Sequence, residues 1–191
     1  MPEPETQIQE IYVQPGESHL RLQPAILRTV LGSCVGVTFW SPRLGIGALC
    51  HPMLPQCPAA QRSTLSAHAG RRYVDYAICE MARRLDAHGV IRSQVVVKLF
   101  GGGDVLAAID GSNRPTVGKL NSEAAFKTLE EEGFNVCACR LGGDSGVHIE
   151  FSIATGEVLV RTLNSVSAPP RSIASRKVHR CGPAPATKRG C

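Results

Sequence analysis

The sequence predicts an α+β fold with mixed, largely antiparallel strands and two main helices. Short apolar runs separated by glycine and proline recur along the chain, and they outnumber the two long segments with helical periodicity. The 191 residues fit one domain, and a hydrophobic content of 43% is enough for a normal core. Only 5% of the residues are aromatic, so we expect a core of aliphatic side chains.

Four strands are predicted in the first third of the chain. Gln9–Gln14 and Ala25–Leu31 form two of them, and Cys34–Trp40 and Gly45–Met53 flank a proline-containing turn that is typical of an antiparallel hairpin. Alternation along the hairpin predicts one apolar core face, formed by Val35, Val37, Phe39, Ile46, Ala48 and Cys50. The opposite face of the hairpin is rich in glycine, like a surface that another backbone approaches.

The hairpin brings Cys34 and His51 onto its second face. If Trp40 and Gly45 close the loop, Cys34 lies directly opposite His51, with Cβ atoms about 4.5–5.5 Å apart. An imidazole at that distance stabilises a thiolate, the nucleophilic form of cysteine. The alternative is an inert buried thiol, which is the commoner role of a free cysteine. We expect Cys50, on the core face, to have that role.

The turn before Cys34 offers the other parts of a catalytic site. Gly32 allows a substrate to approach closely, and the amides of Ser33 and Cys34 could form an oxyanion hole. An ordinary bulge at Gly32 is the alternative. Further along, Phe100 to Asp104 contains three consecutive glycines but lacks the pattern of a nucleotide-binding loop, which favours a tight structural turn.

Two helices and four more strands complete the predicted fold. Arg72–His88 has an apolar stripe and ends before Gly89, and a second helix runs from Asn121, a good N-cap, to Glu132. In the second helix we expect Ala125, Phe126 and Leu129 to face inward. The remaining strands are Ser93–Phe100, Asn135–Leu141, Val147–Ile153 and Val158–Leu163.

Charge and composition divide the chain into two parts. Of 21 basic residues, six lie in residues 165–191, which contain no acidic residue, so the net charge of +5 belongs to this segment. We predict a domain over residues 1–164 and a basic, disordered tail over 165–191. The tail either contacts an acidic partner, a nucleic acid or a lipid surface, or is simply solvated. The polar segment 56–70, between the second strand of the hairpin and the first predicted helix, is a candidate lid over the site.

The eight cysteines and the N-terminus indicate a cytosolic protein with reduced thiols. A disulfide framework is typical of secreted and usually short chains, which this chain does not resemble. A zinc site is disfavoured because no C-x-x-C pair is present and Cys137-x-Cys139, which alternates along a predicted strand, has no matching second pair. The first residues are acidic and polar, unlike a signal peptide, and no apolar run is long enough to span a membrane.

Six motifs together resemble the chemoreceptor glutamine deamidases, the CheD family. The resemblance covers roughly residues 11–163. The chain departs from the family at Asp144–His148, where the family usually has an arginine or lysine, and segment 56–70 and the basic tail are also poor matches. The motifs are Thr29-x-x-Gly-Ser-Cys34, His51-Pro-Met-Leu-Pro55, Phe100-Gly-Gly-Gly, Val117-Gly-Lys-Leu-Asn121, Leu141-Gly-Gly143 and Thr155-Gly-x-Val158-x-Val-Arg161.

The resemblance implies a cytoplasmic bacterial chemotaxis enzyme that converts receptor glutamines to glutamate and releases ammonia. It implies a three-layer α/β/β arrangement similar to the toxin-type cysteine deamidases, with Cys34 as nucleophile, His51 as base and Thr29 as the third site residue. The implied partners are the cytoplasmic domains of methyl-accepting receptors and the CheC phosphatase, with no nucleic acid and no membrane insertion. This chemistry needs no metal or organic cofactor.

Two other functions remain open at this point. One is a non-catalytic adaptor that binds the receptor or the phosphatase without turnover. The other is a different cysteine hydrolase, an amidase or transglutaminase-like enzyme, that uses the same pair of residues on another acyl donor. Retention of both Cys34 and His51 argues against the adaptor.

Overall fold

The computed structural model describes residues 8–104 and 115–163. The described strands and helices are, in chain order, β1 (Gln9–Tyr12), β2 (Ser18–Arg21), β3 (Ala25–Leu31), β4 (Val35–Ser41), β5 (Ile46–Cys50), α1 (Ala67–Gly70), α2 (Val74–Ala87), β6 (Val96–Gly101), α3 (Val117–Glu131), β7 (Val136–Leu141), β8 (Val147–Ser152) and β9 (Val158–Thr162). None of these helices is long and apolar enough to cross a membrane. The predicted tail lies outside the described residues, so the domain boundary at residue 164 stays a prediction.

The strands form two mixed sheets that stack face to face. The five-stranded sheet has the order β2-β5-β4-β6-β7, and the four-stranded sheet has the order β1-β3-β8-β9. β1 pairs with β3 and β6 pairs with β7 in parallel, whereas the other pairs are antiparallel. The predicted α+β class with largely antiparallel strands is therefore confirmed.

Two apolar cores separate three layers. One core joins α2 and α3 to one face of the five-stranded sheet, with Ile78 and Met81 of α2 packed near Val37 and Phe39 of β4. The other core lies between the two sheets and includes Leu49. The order of layers is thus helices, five-stranded sheet, four-stranded sheet, which confirms the α/β/β arrangement.

The glycine-rich face of the β4–β5 hairpin is the one that meets the second sheet. A Cβ atom at Gly36 would lie 2.7 Å from Leu31 Cδ1, and one at Gly47 would lie 2.8 Å from Ile153 Cγ1. Side chains of the four-stranded sheet fill the space that a larger residue would need. The close approach expected at this face is present, although side chains rather than backbone make it.

Substituting Gly47 with alanine should destabilise the protein by about 1–3 kcal/mol because the added methyl overpacks the inter-sheet core. The new Cβ would meet Ile153 at two atoms and Phe151 at 3.2 Å. Thermal or denaturant unfolding of Gly47→Ala measures this loss. An unchanged free energy of unfolding would mean that the two sheets pack less closely than the structure indicates.

The predicted hairpin register is wrong by two residues, while the predicted faces are right. β4 and β5 pair Ser41 with Ile46 and Val37 with Cys50. The loop closes at Ser41 and Ile46 because Gly45, with φ +64°, belongs to the turn. Since side chains alternate with a period of two, a shift of two residues leaves every side chain on its predicted face. Cys34 and His51 therefore share a face, but they are not directly opposite each other.

The second helix begins earlier than predicted. Thr116 is the N-cap, and its hydroxyl accepts a hydrogen bond from the Lys119 amide, so α3 starts at Val117 and Asn121 lies inside it. Ala125 and Leu129 are buried as predicted. Phe126 is 39% exposed, so the prediction that it faces inward is wrong. The first long helix agrees with the prediction to within two residues at its start, and Gly89 follows it with φ +71°.

The state of the cysteines differs from the expectation in one place. Free thiols occur at Cys34, Cys50, Cys57, Cys79 and Cys137. Cys139 is disulfide-bonded, so the expectation that every thiol is reduced is wrong for this residue.

Candidate active site

Cys34 lies where the chain crosses from one sheet to the other. β3 belongs to the four-stranded sheet and β4 to the five-stranded sheet, and residues 32–34 form the turn between them. The Cys34 side chain is half-buried and packs at the edge of the inter-sheet core. A thiol in this position is held by both layers and remains partly accessible.

The three carbonyl groups of this turn are all held by hydrogen bonds. The Gly32 carbonyl accepts from the Gly103 amide at 2.8 Å, and the Cys34 carbonyl accepts from the Gly102 amide at 2.8 Å. The Ser33 carbonyl accepts from the side-chain amide of Asn121 at 2.9 Å. Within the described residues, the amides of Ser33 and Cys34 donate to no backbone acceptor. They are the two donors that the sequence proposed for an oxyanion hole.

The three-glycine turn after β6 supports the Cys34 turn. Gly101 adopts φ +91°, and a Cβ atom there would lie only 2.3 Å from the Cys34 carbonyl oxygen. A Cβ atom at Gly118, in the first turn of α3, would lie 2.5 Å from the Gly102 carbonyl oxygen. These glycines are needed for close backbone approach. The structure therefore confirms a tight structural turn.

His51 follows β5 directly and is 1% exposed. Its backbone is held on both sides, because its amide donates to the Glu17 carbonyl at 2.9 Å and its carbonyl accepts from the Gly16 amide at 2.7 Å. Its Nδ1 atom lies 2.7 Å from the hydroxyl of Thr29, which is fully buried in β3. The structure thus brings Thr29 and His51 into contact. Cys34 lies on the same hairpin face as His51 and, by extension of the register, pairs with the position of Met53.

The hydrogen bonds around Thr29 indicate which nitrogen of His51 carries the proton. The Thr29 hydroxyl donates to the Val13 carbonyl at 2.7 Å, which uses its single proton. Nδ1 also lies 3.4 Å from that carbonyl, so a protonated Nδ1 faces two oxygen acceptors and an unprotonated one would face repulsion. We assign the proton of neutral His51 to Nδ1, which leaves Nε2 as the basic nitrogen.

Burial keeps both members of the pair neutral at rest. It lowers the pKa of His51 below its usual 6.5, an effect opposed by a weaker interaction with the Val13 carbonyl. Burial likewise raises the pKa of the Cys34 thiol above 9.0. These directions favour a neutral thiol and imidazole over the stabilised thiolate that the sequence suggested, because each charged form loses hydration in the interior.

Segment 56–70, the predicted lid, is largely exposed and contains a 3₁₀ turn at Ala59–Gln61 followed by α1. Asp75 at the start of α2 anchors it, since its carboxylate accepts from the Cys57 amide at 2.9 Å and from Arg62 at 2.6 Å. A lid function for this segment stays a prediction. Nowhere in residues 8–104 and 115–163 do three or more His, Cys, Asp or Glu side chains cluster to suit a metal ion.

A family model described as CheD chemotactic sensory transduction matches residues 53–162. This chain belongs to the CheD family. It is 39% identical to the probable chemoreceptor glutamine deamidase CheD 2 of Geobacter sulfurreducens over 83% of this chain and 92% of that protein. It is 31% identical to the probable chemoreceptor glutamine deamidase CheD of Maridesulfovibrio salexigens over 85% of this chain and 97% of that protein.

Among solved structures, the fold has a slight likeness to the hypothetical protein YfiH of Bacillus licheniformis. The TM-score is 0.40 at 11% identity, over 62% of this chain and 47% of that chain. A likeness at this level supports no argument about this CheD protein.

The sequence alone did not reveal the role of Asn121 in this CheD protein. Its side-chain amide donates to the Ser33 carbonyl and to the Met53 carbonyl, both at 2.9 Å, and so joins the segments that carry Cys34 and His51. One signal was available. Asparagine is unfavourable inside a helix, so its presence four residues after the helix start, in the motif ending Lys-Leu-Asn121, indicates a use other than helix formation.

Replacing Thr29 with valine should lower kcat about 10²-fold because His51 loses the partner that fixes its tautomer and ring orientation. The Val13 carbonyl also loses its donor, so we expect a destabilisation of about 1–3 kcal/mol. Steady-state kinetics and thermal unfolding measure the two effects. Thr29→Ser, which keeps the hydroxyl, is the matched control and should retain most activity. Equal activity of the valine and wild-type proteins would exclude a role for Thr29 in catalysis.

Proposed function

We propose that this protein is a chemoreceptor glutamine deamidase, which hydrolyses the side-chain amide of selected receptor glutamines to glutamate and ammonia. The observation that carries the proposal is the Thr29–His51 contact on the hairpin face that also carries Cys34, where the amides of Ser33 and Cys34 donate to no backbone acceptor among the described residues. The substrate comes from the relatives, which are named for this activity. We place Cys34 as the nucleophile, His51 as the base and Thr29 as the residue that orients His51.

In the first half-reaction, His51 Nε2 accepts the proton of the Cys34 thiol as the sulfur attacks the carboxamide carbon of glutamine. The carbonyl oxygen becomes an oxyanion, and the amides of Ser33 and Cys34 are the donors that stabilise it. The protonated His51 then gives its proton to the amide nitrogen, and the carbon–nitrogen bond breaks. Ammonia leaves, and a thioester joins Cys34 to the former glutamine side chain.

In the second half-reaction, water takes the place of ammonia. His51 Nε2 removes a proton from this water as its oxygen attacks the thioester carbon, and the same two amides stabilise the second oxyanion. The carbon–sulfur bond breaks, and the sulfur regains a proton from His51. The receptor residue leaves as glutamate and Cys34 returns to the thiol, so the cycle balances with cysteine, histidine and water as its reacting groups.

The rate should depend on pH through His51. A neutral imidazole is needed to accept the thiol proton, and burial lowers the pKa of His51 below 6.5. We therefore expect kcat/KM to fall as the pH drops through this lowered value, and to be level from about neutrality upward. A rate that instead rises steadily toward pH 9 would track ionisation of Cys34, and would show that a free thiolate rather than the neutral pair reacts.

The location and partners follow from this substrate. We propose that the protein works in the bacterial cytoplasm on the cytoplasmic domains of methyl-accepting receptors, and that residues 1–164 form the deamidase domain. Binding to the CheC phosphatase, and the absence of nucleic-acid binding and membrane insertion, are proposed on the resemblance alone. Co-purification with purified CheC tests the first of these.

An assay of ammonia release from a cytoplasmic receptor fragment tests the function itself. A deamidase releases ammonia with water as the only acceptor, and mass spectrometry finds glutamate in place of specific glutamines. A transglutaminase-like enzyme would need an added amine, and an adaptor would bind the fragment without releasing ammonia. Either of these results would replace the proposed function.

A further inference from the structure

Asn121 joins three separate segments of the site. It lies in α3, and its side chain is fully buried. One hydrogen of its side-chain nitrogen is donated to the Ser33 carbonyl, and the other to the Met53 carbonyl, each at 2.9 Å. Ser33 precedes Cys34 directly, and Met53 lies two residues after His51. A single amide group therefore fixes the nucleophile turn, the segment after the base and the helix relative to one another.

The other half of this amide is not optimised for stability. Its oxygen, Oδ1, is buried and has no donor among the described residues. A buried acceptor without a partner is costly, and such groups in native proteins call for an explanation. The alternative orientation of the amide would place Oδ1 against two carbonyl oxygens and lose both donated bonds. The orientation that is adopted serves the two carbonyls.

The Ser33 carbonyl shares its peptide group with the Cys34 amide. This peptide is trans, so its C=O and N–H bonds point in opposite directions. Because Asn121 holds the carbonyl toward α3, the Cys34 N–H, on the opposite side of the same peptide, is turned away from the helix. Fixing one end of the peptide thus fixes the direction of an oxyanion donor.

We propose that Asn121 is a positioning residue of the deamidation reaction. It orients the Ser33–Cys34 peptide so that the Cys34 amide is aimed at the developing oxyanion, and it ties the segment after His51 to the same point. It contacts neither substrate nor reacting atoms. This inference rests on the proposed function, because the oxyanion forms only when Cys34 attacks a carbonyl carbon.

Two measurements on Asn121→Ala separate positioning from general structural support. Ammonia release from the receptor fragment should show kcat lowered about 10- to 100-fold with KM nearly unchanged, since a misaimed donor weakens only transition-state binding. Alkylation of Cys34 by iodoacetamide, a displacement that forms no oxyanion, should proceed at nearly the wild-type rate. Asn121→Ser keeps one hydrogen-bond donor and should therefore lower kcat less than Asn121→Ala does. It replaces the alanine variant in the test if that variant does not fold.

Thr128→Ala is the matched control. Thr128 is also a buried polar residue of α3, two turns beyond Asn121. Its loss should lower stability and leave kcat unchanged. Wild-type kcat in a folded Asn121→Ala or Asn121→Ser protein overturns the inference, and so does an equal fall in alkylation and deamidation. Absence of ammonia release from the wild-type protein overturns the proposed function instead, and this inference with it.

Discussion

Cys34→Ala is expected to reduce receptor deamidation at least about 10⁴-fold, to near the uncatalysed background, because no other group can form the thioester. Cys34 is half-buried and lies at the edge of the inter-sheet core, so the thermal unfolding of the Cys34→Ala protein should differ little from that of the wild type. Ammonia release and glutamate formation, measured with equal amounts of folded protein, provide the test.

Cys50→Ala is the matched control for this loss. Cys50 is fully buried on the helix-facing side of the same hairpin, and burial raises the pKa of its thiol to about 12. A thiol in that environment is inert, so the variant should stay active and lose only about 1 kcal/mol of stability. Loss of activity in Cys50→Ala, with Cys34→Ala active, would show that the nucleophile has been assigned to the wrong face.

His51→Ala is expected to lower kcat by about 10²- to 10⁴-fold because the reaction loses its general base and acid. The substitution should also destabilise the fold by about 1–3 kcal/mol, since the imidazole is 1% exposed and its removal leaves the Thr29 pair incomplete. The sequence predicted that His51 lies on the hairpin face opposite the apolar core face, where its removal would cost little stability. The structure changes that expectation, because the second face of the hairpin is covered by the other sheet.

For His51→Ala, kcat is measured at a temperature below the thermal unfolding transition of the variant and is expressed per folded molecule. His88→Ala is the control, because His88 is exposed at the end of α2. It should have wild-type activity and stability. If His51→Ala kept more than a tenth of the wild-type kcat, another group would have to move the protons and the assignment of the base would be wrong.

Local sequence patterns accounted for much of the fold. Strand β3 coincides with its predicted bounds, and both faces of the hairpin are as predicted, because alternation with a period of two is visible in the residues themselves. The register was not visible in this way. It depends on which residues close the turn, and the positive φ of Gly45 places this residue in the turn, so that the whole turn is shifted by one residue toward the C-terminus. Strand β2 was missed because it is short and places a serine at a buried position.

The site was less accessible to sequence analysis because its contacts join distant segments. The pairing of Thr29 with His51 was implied by the family resemblance, and no local pattern pointed to it. Asn121 was interpreted as an N-cap, a role in which asparagine is common. Its actual partners, Ser33 and Met53, lie 88 and 68 residues away along the chain, and only the packing of α3 against both segments brings them together.

The central claim is that Cys34 forms a thioester with a receptor glutamine, and turnover in the presence of hydroxylamine tests it most directly. Hydroxylamine competes with water for a thioester and converts the glutamine to a hydroxamate, which peptide mass spectrometry separates from glutamate. We expect both products at the same receptor positions with the wild-type protein, and neither product with Cys34→Ala. Glutamate formed at an undiminished rate by Cys34→Ala would contradict this claim.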